Sequence, residues 1–362
     1  MTQALSRDDL RAATAAGVVT EAQAARLLTL ADARRGAREN LAEGDEPFEL
    51  FRGFNEVFIV VGLAILTTGW LGAVALYVGD PFGGLGLPGG TVARAVQAAV
   101  AGALILWGLS EYFVRRRRMV GPAIALSVLW GANAATGLAT AFAQPFMVAQ
   151  AQYESLPLPL ALATGAVVLH WLRFRVPFAV ALIAVGLFAT TLVIAANRAG
   201  TPQGLADLFL LSAGGPFAWI TLLLGLLVFA AAMAFDMSDP HRVTRRAAQG
   251  FWLHVVAAPA LVNTVALSLL DRGGAGANLL LLLFLALIAL VAIVIDRRSF
   301  LIAGVGYSVA LAGTVFGGGG SAITVLALGA VLLVLGAAWE RIRARLLRPL
   351  PLGLRARLPP AS

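Results

Sequence analysis

From residue 57 onward, long apolar runs alternate with short polar turns. Ten of these runs approach the roughly 20 residues that a helix needs to cross about 30 Å of hydrocarbon. They occupy 57–78, 93–114, 119–142, 157–173, 177–196, 216–235, 250–270, 278–295, 299–316 and 321–339. The fourth and ninth are short, and the Arg173-Phe174-Arg175 and Asp296-Arg297-Arg298 turns leave room only for tight hairpins. The pattern predicts an all-α polytopic membrane protein of about ten transmembrane helices, filling 57–339.

The start of the chain has a different rhythm. Ser6 with Asp9 marks a helix start, and Gly17 is placed to end that helix in a left-handed conformation. Thr20 opens a second helix, with Gln23 three residues on as a capping box requires, and Ala24, Leu27, Leu28 and Leu30 give it an apolar stripe. Residues 1–40 therefore read as a cytoplasmic helical hairpin. It is too small to bury a core of its own and is expected to dock on the membrane domain or to pair with another copy. Residues 41–56 read as an acidic linker, in which Phe48, Phe51 and Phe54 make an interfacial approach to the first span. Nothing in the first 52 residues is apolar for long enough to act as a signal-peptide core, so the N-terminus is expected to be retained. Residues 340–362 form a basic tail, whose helix continues from the tenth span until Pro349 stops it.

Composition sharpens the picture. The chain is 59% hydrophobic and 13% charged, with a mean hydropathy of +0.85. No single soluble core could bury that much apolar surface. The absence of cysteine excludes disulfides, thiolate metal sites and cysteine nucleophiles. All 27 basic residues are arginine, and against 19 acids they leave a net charge of +8. That excess suggests nucleic acid until it is mapped onto the spans. With the N-terminus inside, 24 arginines fall on the inner side and only Arg94, Arg198 and Arg272 on the outer. The positive charge is thus a topology signal, and no nucleic-acid partner is expected. Outer connections such as Gly79 to Gly90 and Gly317 to Gly320 are too short and glycine-rich to hold a folded domain. Missing lysine beside abundant alanine, glycine, leucine and arginine fits GC-rich bacterial coding. The expectation is a multi-pass protein of a bacterial inner membrane, with both termini cytoplasmic and the lipid bilayer as its first partner.

Candidate chemistry lies in polar residues within spans, each of which must find a partner away from water. In the third span Trp130, Asn133, Thr136, Gly137, Thr140 and Gln144 share one helical face, with Asn133 near mid-membrane. Such a face either lines a polar pathway or binds helices together. In the seventh span His254, Thr264, Ser268 and Asp271 share an arc, and His254 lies about one turn from the inner boundary. Glu111 precedes Arg115 by four residues, the spacing of a boundary ion pair. Asp236 and Asp239 flank a basic turn, and Pro240 suits them to capping the next helix. His170, His241 and His254 match no metal-ligand spacing, and no phosphate loop, dinucleotide fingerprint or nucleophile elbow is present. The sequence therefore nominates no catalytic, cofactor-binding or metal-ligating residue.

The turn Gly17-Val18-Val19-Thr20-Glu21-Ala22-Gln23-Ala24, followed by a many-span domain, resembles bacterial integral membrane proteins of unknown function that open with a short helical hairpin. The passage Phe235 to Arg246, continuing through Phe251-Trp252-Leu253-His254 to Pro259, also looks like one found in such proteins. The resemblance implies a multi-span membrane protein and carries no activity with it. Span count, short loops and intramembrane polar faces favour a small-solute or ion transporter. A scaffold or regulatory protein that binds a partner, or a second copy, through the hairpin is the alternative. A membrane enzyme acting on a lipid-linked substrate is the third reading. A water-filled cavity at Asn133 would point to transport, whereas a dry core with an exposed apolar stripe on the hairpin would point to scaffolding.

Overall fold

The computed structural model describes residues 6–34, 54–79, 90–144, 147–150, 152–242, 244–297 and 341–359, with isolated positions between 304 and 339. Among these the secondary structure is helical, with no strand. Among the described residues eight helices are long and apolar enough to cross a membrane: Asn55–Gly79, Thr91–Arg116, Val120–Phe142, Pro157–Phe174, Ala179–Ala199, Phe217–Met237, Arg245–Arg272 and Gly274–Ile295. The protein is an all-α polytopic membrane protein. The eight follow the order of the first eight spans expected above. The ninth and tenth, 299–316 and 321–339, fall largely outside the described residues, as does the linker through residue 53. The chain separates into two compact units, one of Phe48–Thr201 and one of Met1–Pro47 with Pro202–Ser362.

The hairpin consists of α1 (Arg7–Ala15) and α2 (Glu21–Arg34). Ser6 and Asp9 form a reciprocal capping box, and Gly17 turns the chain at φ +72°. Thr20 and Gln23 cap α2 in the same reciprocal way, at 2.9 and 3.2 Å. Leu10, Ala24 and Ala25 are buried, while Leu27 and Leu30 remain 43% and 57% exposed. The expected stripe is thus rotated, because the helices close over small alanines. At roughly 100° per residue, a buried face centred on Ala24 and Ala25 keeps Leu28 inward and carries Leu30 to the far side.

In the unit Phe48–Thr201, α3 (Phe54–Gly79), α4 (Thr91–Ser110), α5 (Val120–Phe142), the short α6 (Met147–Gln150), α7 (Pro157–Phe174) and α8 (Ala179–Ala199) follow in order. Helix α5 packs against α3, α4 and α7, and α7 against α8. The α4–α5 crossing is built on small residues: a Cβ added to Gly137 would lie 2.6 Å from Ala99 Cβ, and one added to Gly102 2.7 Å from Asn133 Oδ1. After Ser110 the chain widens into a π-helical turn, Glu111–Arg116, before α5 begins. The buried carboxylate of Glu56 accepts hydrogen bonds from Val120 N and Gly121 N, at 3.3 and 2.9 Å, and so caps α5.

In the other unit, α9 (Phe217–Met237), α10 (Arg245–Arg272) and α11 (Gly274–Ile295) follow the hairpin. Half of the apolar window of α10 is buried, which makes it the central helix here, and its longest interface is with α9. Gly225 permits that approach, since a Cβ there would lie 3.0 Å from Ala260 Cβ. The basic tail folds back onto this unit: Leu347 and Leu358 are buried with Leu261, Val262 and Ile288.

Among the described residues four non-glycine positions adopt left-handed backbone, and each closes a turn that follows a span: Arg118, Arg175, Arg242 and Asp296, at φ 54° to 56°. Each costs on the order of 1 kcal/mol that glycine would avoid. Where spans meet the arginine-poor connections, glycine takes that role, at Gly200, Gly214, Gly273 and Gly274.

Candidate functional site

The densest buried charge lies where α9 ends, α10 begins and α11 ends. Asp236 stands in the last turn of α9, His254 on the buried face of α10, and Arg297 just past α11. The Arg297 guanidinium grips Asp236 in a fork, Nε to Oδ2 at 3.0 Å and Nη2 to Oδ1 at 2.5 Å. His254 Nε2 lies 3.0 Å from the same Oδ2. An ionised carboxylate only accepts, so the imidazole proton sits on Nε2 when Asp236 is charged. All three side chains are buried, and a Cβ at Gly250 would overlap Asp236 Oδ1.

A second layer surrounds this triad. Asp296 accepts hydrogen bonds from Arg242 Nη1 at 2.8 Å and from Trp339 Nε1 at 2.7 Å. Arg242 Nη2 donates to the Asp296 carbonyl at 2.8 Å. Asp239 accepts from Thr244 N and Thr244 Oγ1, at 2.9 and 2.7 Å, and so caps α10, whereas Asp236 takes no part in capping. The hairpin reaches this same turn. Partial burial holds the Glu21 carboxyl above the usual glutamate range, and Asp239 adds to the effect, while His241 and Arg246 pull it back. The head of α2 therefore sits in the electric field of the α9–α10 turn.

The remaining polar residues of α10 do other work. Thr264 Oγ1 returns its proton to the Ala260 carbonyl at 2.6 Å. Ser268 receives Leu211 N and donates to the Phe209 carbonyl, at 2.9 and 3.1 Å, while Asp271 accepts from Ser212 at 2.6 Å. Those contacts clasp the loop that precedes α9. His254 and Ser268 stand almost four turns apart, about 21 Å along the axis, and form no common site.

In the unit Phe48–Thr201, Asn133 Nδ2 donates to the Ala99 carbonyl of α4 at 2.9 Å. Thr136 and Thr140 are exposed and donate to carbonyls of their own helix, Ala132 and Thr136, at 2.9 and 2.8 Å. Gln144 is exposed, and its backbone N–H donates to Ser155 Oγ at 3.0 Å. Trp130 Nε1 donates to the Ala166 carbonyl of α7 at 2.8 Å, so the polar face of α5 contributes two bonds across helix interfaces and several within the helix. Glu111 pairs with Arg115 at 3.4 Å and more closely with Arg173 of α7, at 2.6 Å.

His170 was the residue whose surroundings sequence reasoning missed. It is fully buried, stacks on Trp130 at 5.6 Å, meets Phe174 at 4.6 Å and Trp107 edge-on at 6.5 Å, and lies 3.2 Å from Ser110 Oγ. Its Nδ1 and the neighbouring Trp171 Nε1 are buried with no hydrogen-bond partner among the described residues. Arg297 was likewise counted only as a topology charge. The signal for it was the turn Asp296-Arg297, an acid beside a base at the end of an apolar run. No group of three His, Asp or Glu side chains among the described residues is arranged to hold a metal ion.

Fold and site together define a polytopic helical membrane protein with a buried carboxylate–histidine–arginine triad at the arginine-rich end of one unit. No family model matches the sequence, and neither a curated protein nor a solved structure matches it.

Proposed function

We propose that the protein is a membrane-embedded regulatory scaffold, which presents its N-terminal hairpin to a protein partner from a charge-locked turn. The observation that carries this reading is the placement of α2. Its first residue, Glu21, lies in the field of Asp239, His241 and Arg246, while Leu27 and Leu30 further along remain exposed. A docked hairpin with an outward apolar edge suits the capture of an amphipathic helix through positions three apart. The hydrogen bond from Asn133 to Ala99 supports the same side of the choice, since it occupies the amide in helix packing rather than in a pathway. A photo-crosslinking residue placed at Leu27 or Leu30 in native membranes should give one discrete protein adduct, and Leu27→Asp or Leu30→Asp at the other position should abolish it. Two differently tagged copies in one cell distinguish a second copy from another protein. Crosslinks to lipid alone would refute the reading.

The buried triad favours a second reading, a proton-coupled transporter of a small solute. His254 and Arg297 share one carboxylate oxygen of Asp236, so a proton taken up by the imidazole can pass to that oxygen and alter the hold of Asp236 on Arg297. Proteoliposomes loaded with a pH-sensitive dye test it. A solute pool should move protons in the native protein and not in His254→Gln; silence with every pool would discard transport.

A further inference from the structure

We infer that the end of the unit Phe48–Thr201 formed by the π-helical turn and the close of α7 binds the phosphate of an anionic phospholipid. Arg115 to Arg118 and Arg173 with Arg175 all come to that end and are all exposed. The Glu111–Arg173 bond at 2.6 Å ties the two turns together, and Glu111 also holds Arg115, while the buried Glu56 carboxylate is taken up by Val120 N and Gly121 N. Six arginines against these two engaged glutamates leave a strong local excess of positive charge.

Arg117 and Arg175 are oriented by aromatic rings. Arg117 lies 5.6 Å over the Tyr112 ring and donates to its hydroxyl at 3.2 Å, and Arg175 lies 5.1 Å over Trp171. A guanidinium laid on an aromatic face presents its N–H edge sideways, the geometry that suits phosphate oxygens. The backbone is shaped for this display. The π turn projects Arg115 and Arg116 differently from a regular helix, and Arg118 and Arg175 hold left-handed conformations that glycine would occupy without strain. Below the arginines the helix surfaces are apolar and exposed, at Leu104 and Ile105 of α4 and at Leu169 and Leu172 of α7. Along the helix axes Leu169 and Leu172 lie within about 10 Å of Arg173 and Arg175, and Leu104 and Ile105 about 15 Å from Arg115, depths that acyl chains reach below a headgroup. A soluble phosphate would use the arginines and ignore that wall.

The full-length protein in neutral detergent tests the assignment by native mass spectrometry and by thermal unfolding. Adding phosphatidylglycerol should leave one or two retained lipids per chain and raise the unfolding midpoint, whereas phosphatidylcholine should do neither. Inorganic phosphate and glycerol 3-phosphate at matched ionic strength should not reproduce the shift; if they do, the ligand is a soluble phosphate and the lipid assignment fails. The double variant Arg117→Gln with Arg175→Gln should lose at least tenfold in phosphatidylglycerol affinity. Arg345→Gln with Arg348→Gln removes the same charge from the exposed tail and should keep native affinity. Equal losses in both double variants would mean bulk attraction without a site. If the first variant fails to fold, Arg117→Lys with Arg175→Lys takes its place: it keeps the charge and loses the fork, and undiminished retention of lipid would overturn the proposal.

Discussion

Asp236 is the residue on which most of the buried electrostatics depends. Its carboxylate satisfies three N–H donors from two side chains, and each partner comes from a different helix or helix end. A pair this deeply buried adds little net stability, because desolvating both ions offsets their attraction, yet removing one member strands the other. Asp236→Asn should therefore destabilise the protein by about 3–5 kcal/mol, read from unfolding in detergent. The double variant Asp236→Asn with Arg297→Met should recover much of that loss, since no uncompensated ion remains. An Asp236→Asn protein that unfolds no earlier than the native one would show that the guanidinium finds another anion or water. Asn133 differs in kind: it is a neutral amide with one bond to Ala99, and its contribution belongs to helix packing.

At the scale of elements, the hairpin is expected to respond to acid. The raised pKa of Glu21 means that the docked carboxyl holds its proton more tightly than a released one. Its contribution to docking is fully present below the ordinary glutamate range and is lost as pH rises through the docked value. Hydrogen-exchange protection of residues 21–31, taken relative to the intrinsic rate at each pH, should accordingly be higher at about pH 4.5 than at about pH 7, and Glu21→Gln should erase the difference. Lower protection in acid would reverse the sign and discard the mechanism.

Much at this scale was legible in the chain. The capping pairs Ser6–Asp9 and Thr20–Gln23 form as their spacing demands, because capping is a local interaction. The third span begins within one residue of its expected start, Val120 against 119, as a run bounded by arginine should. What escaped was whatever depends on rotation or on distant partners. The Leu27 and Leu30 edge turned outward because α1 and α2 meet over alanines, a choice set by α1. The π turn after Ser110 carries no local mark, and the fork between Arg297 and Asp236 joins residues 61 positions apart. Periodicity finds which residues share a face but not which face finds which neighbour.

For the molecule as a whole, the charge partition makes a topological prediction. Reporter fusions at Arg118 and after Arg348 should both score cytoplasmic, and fusions at Gly86 and Gly318 external. An external score at Arg118 or Arg348 would break the ten-span arrangement. The folded-back tail adds a condition: because Leu347 and Leu358 are buried beside α10 and α11, truncation before Leu347 should lower stability even though every span is retained.

The arginines in left-handed turns have a consequence for how this protein can change over generations. At Arg118, Arg175 and Arg242 one side chain closes a loop and also supplies a charge that resists translocation. Glycine at Arg118 or Arg175 would relax the backbone and, measured in detergent, would look like an improvement, whereas at Arg242 it would also strand the Asp296 carboxylate. In a living cell the same substitution would weaken the cue that orients the flanking helices during insertion. Selection acting through biogenesis thus opposes selection acting through folding at these positions. The conflict should surface as a small population of inverted molecules in any Arg→Gly variant that unfolds later than its parent.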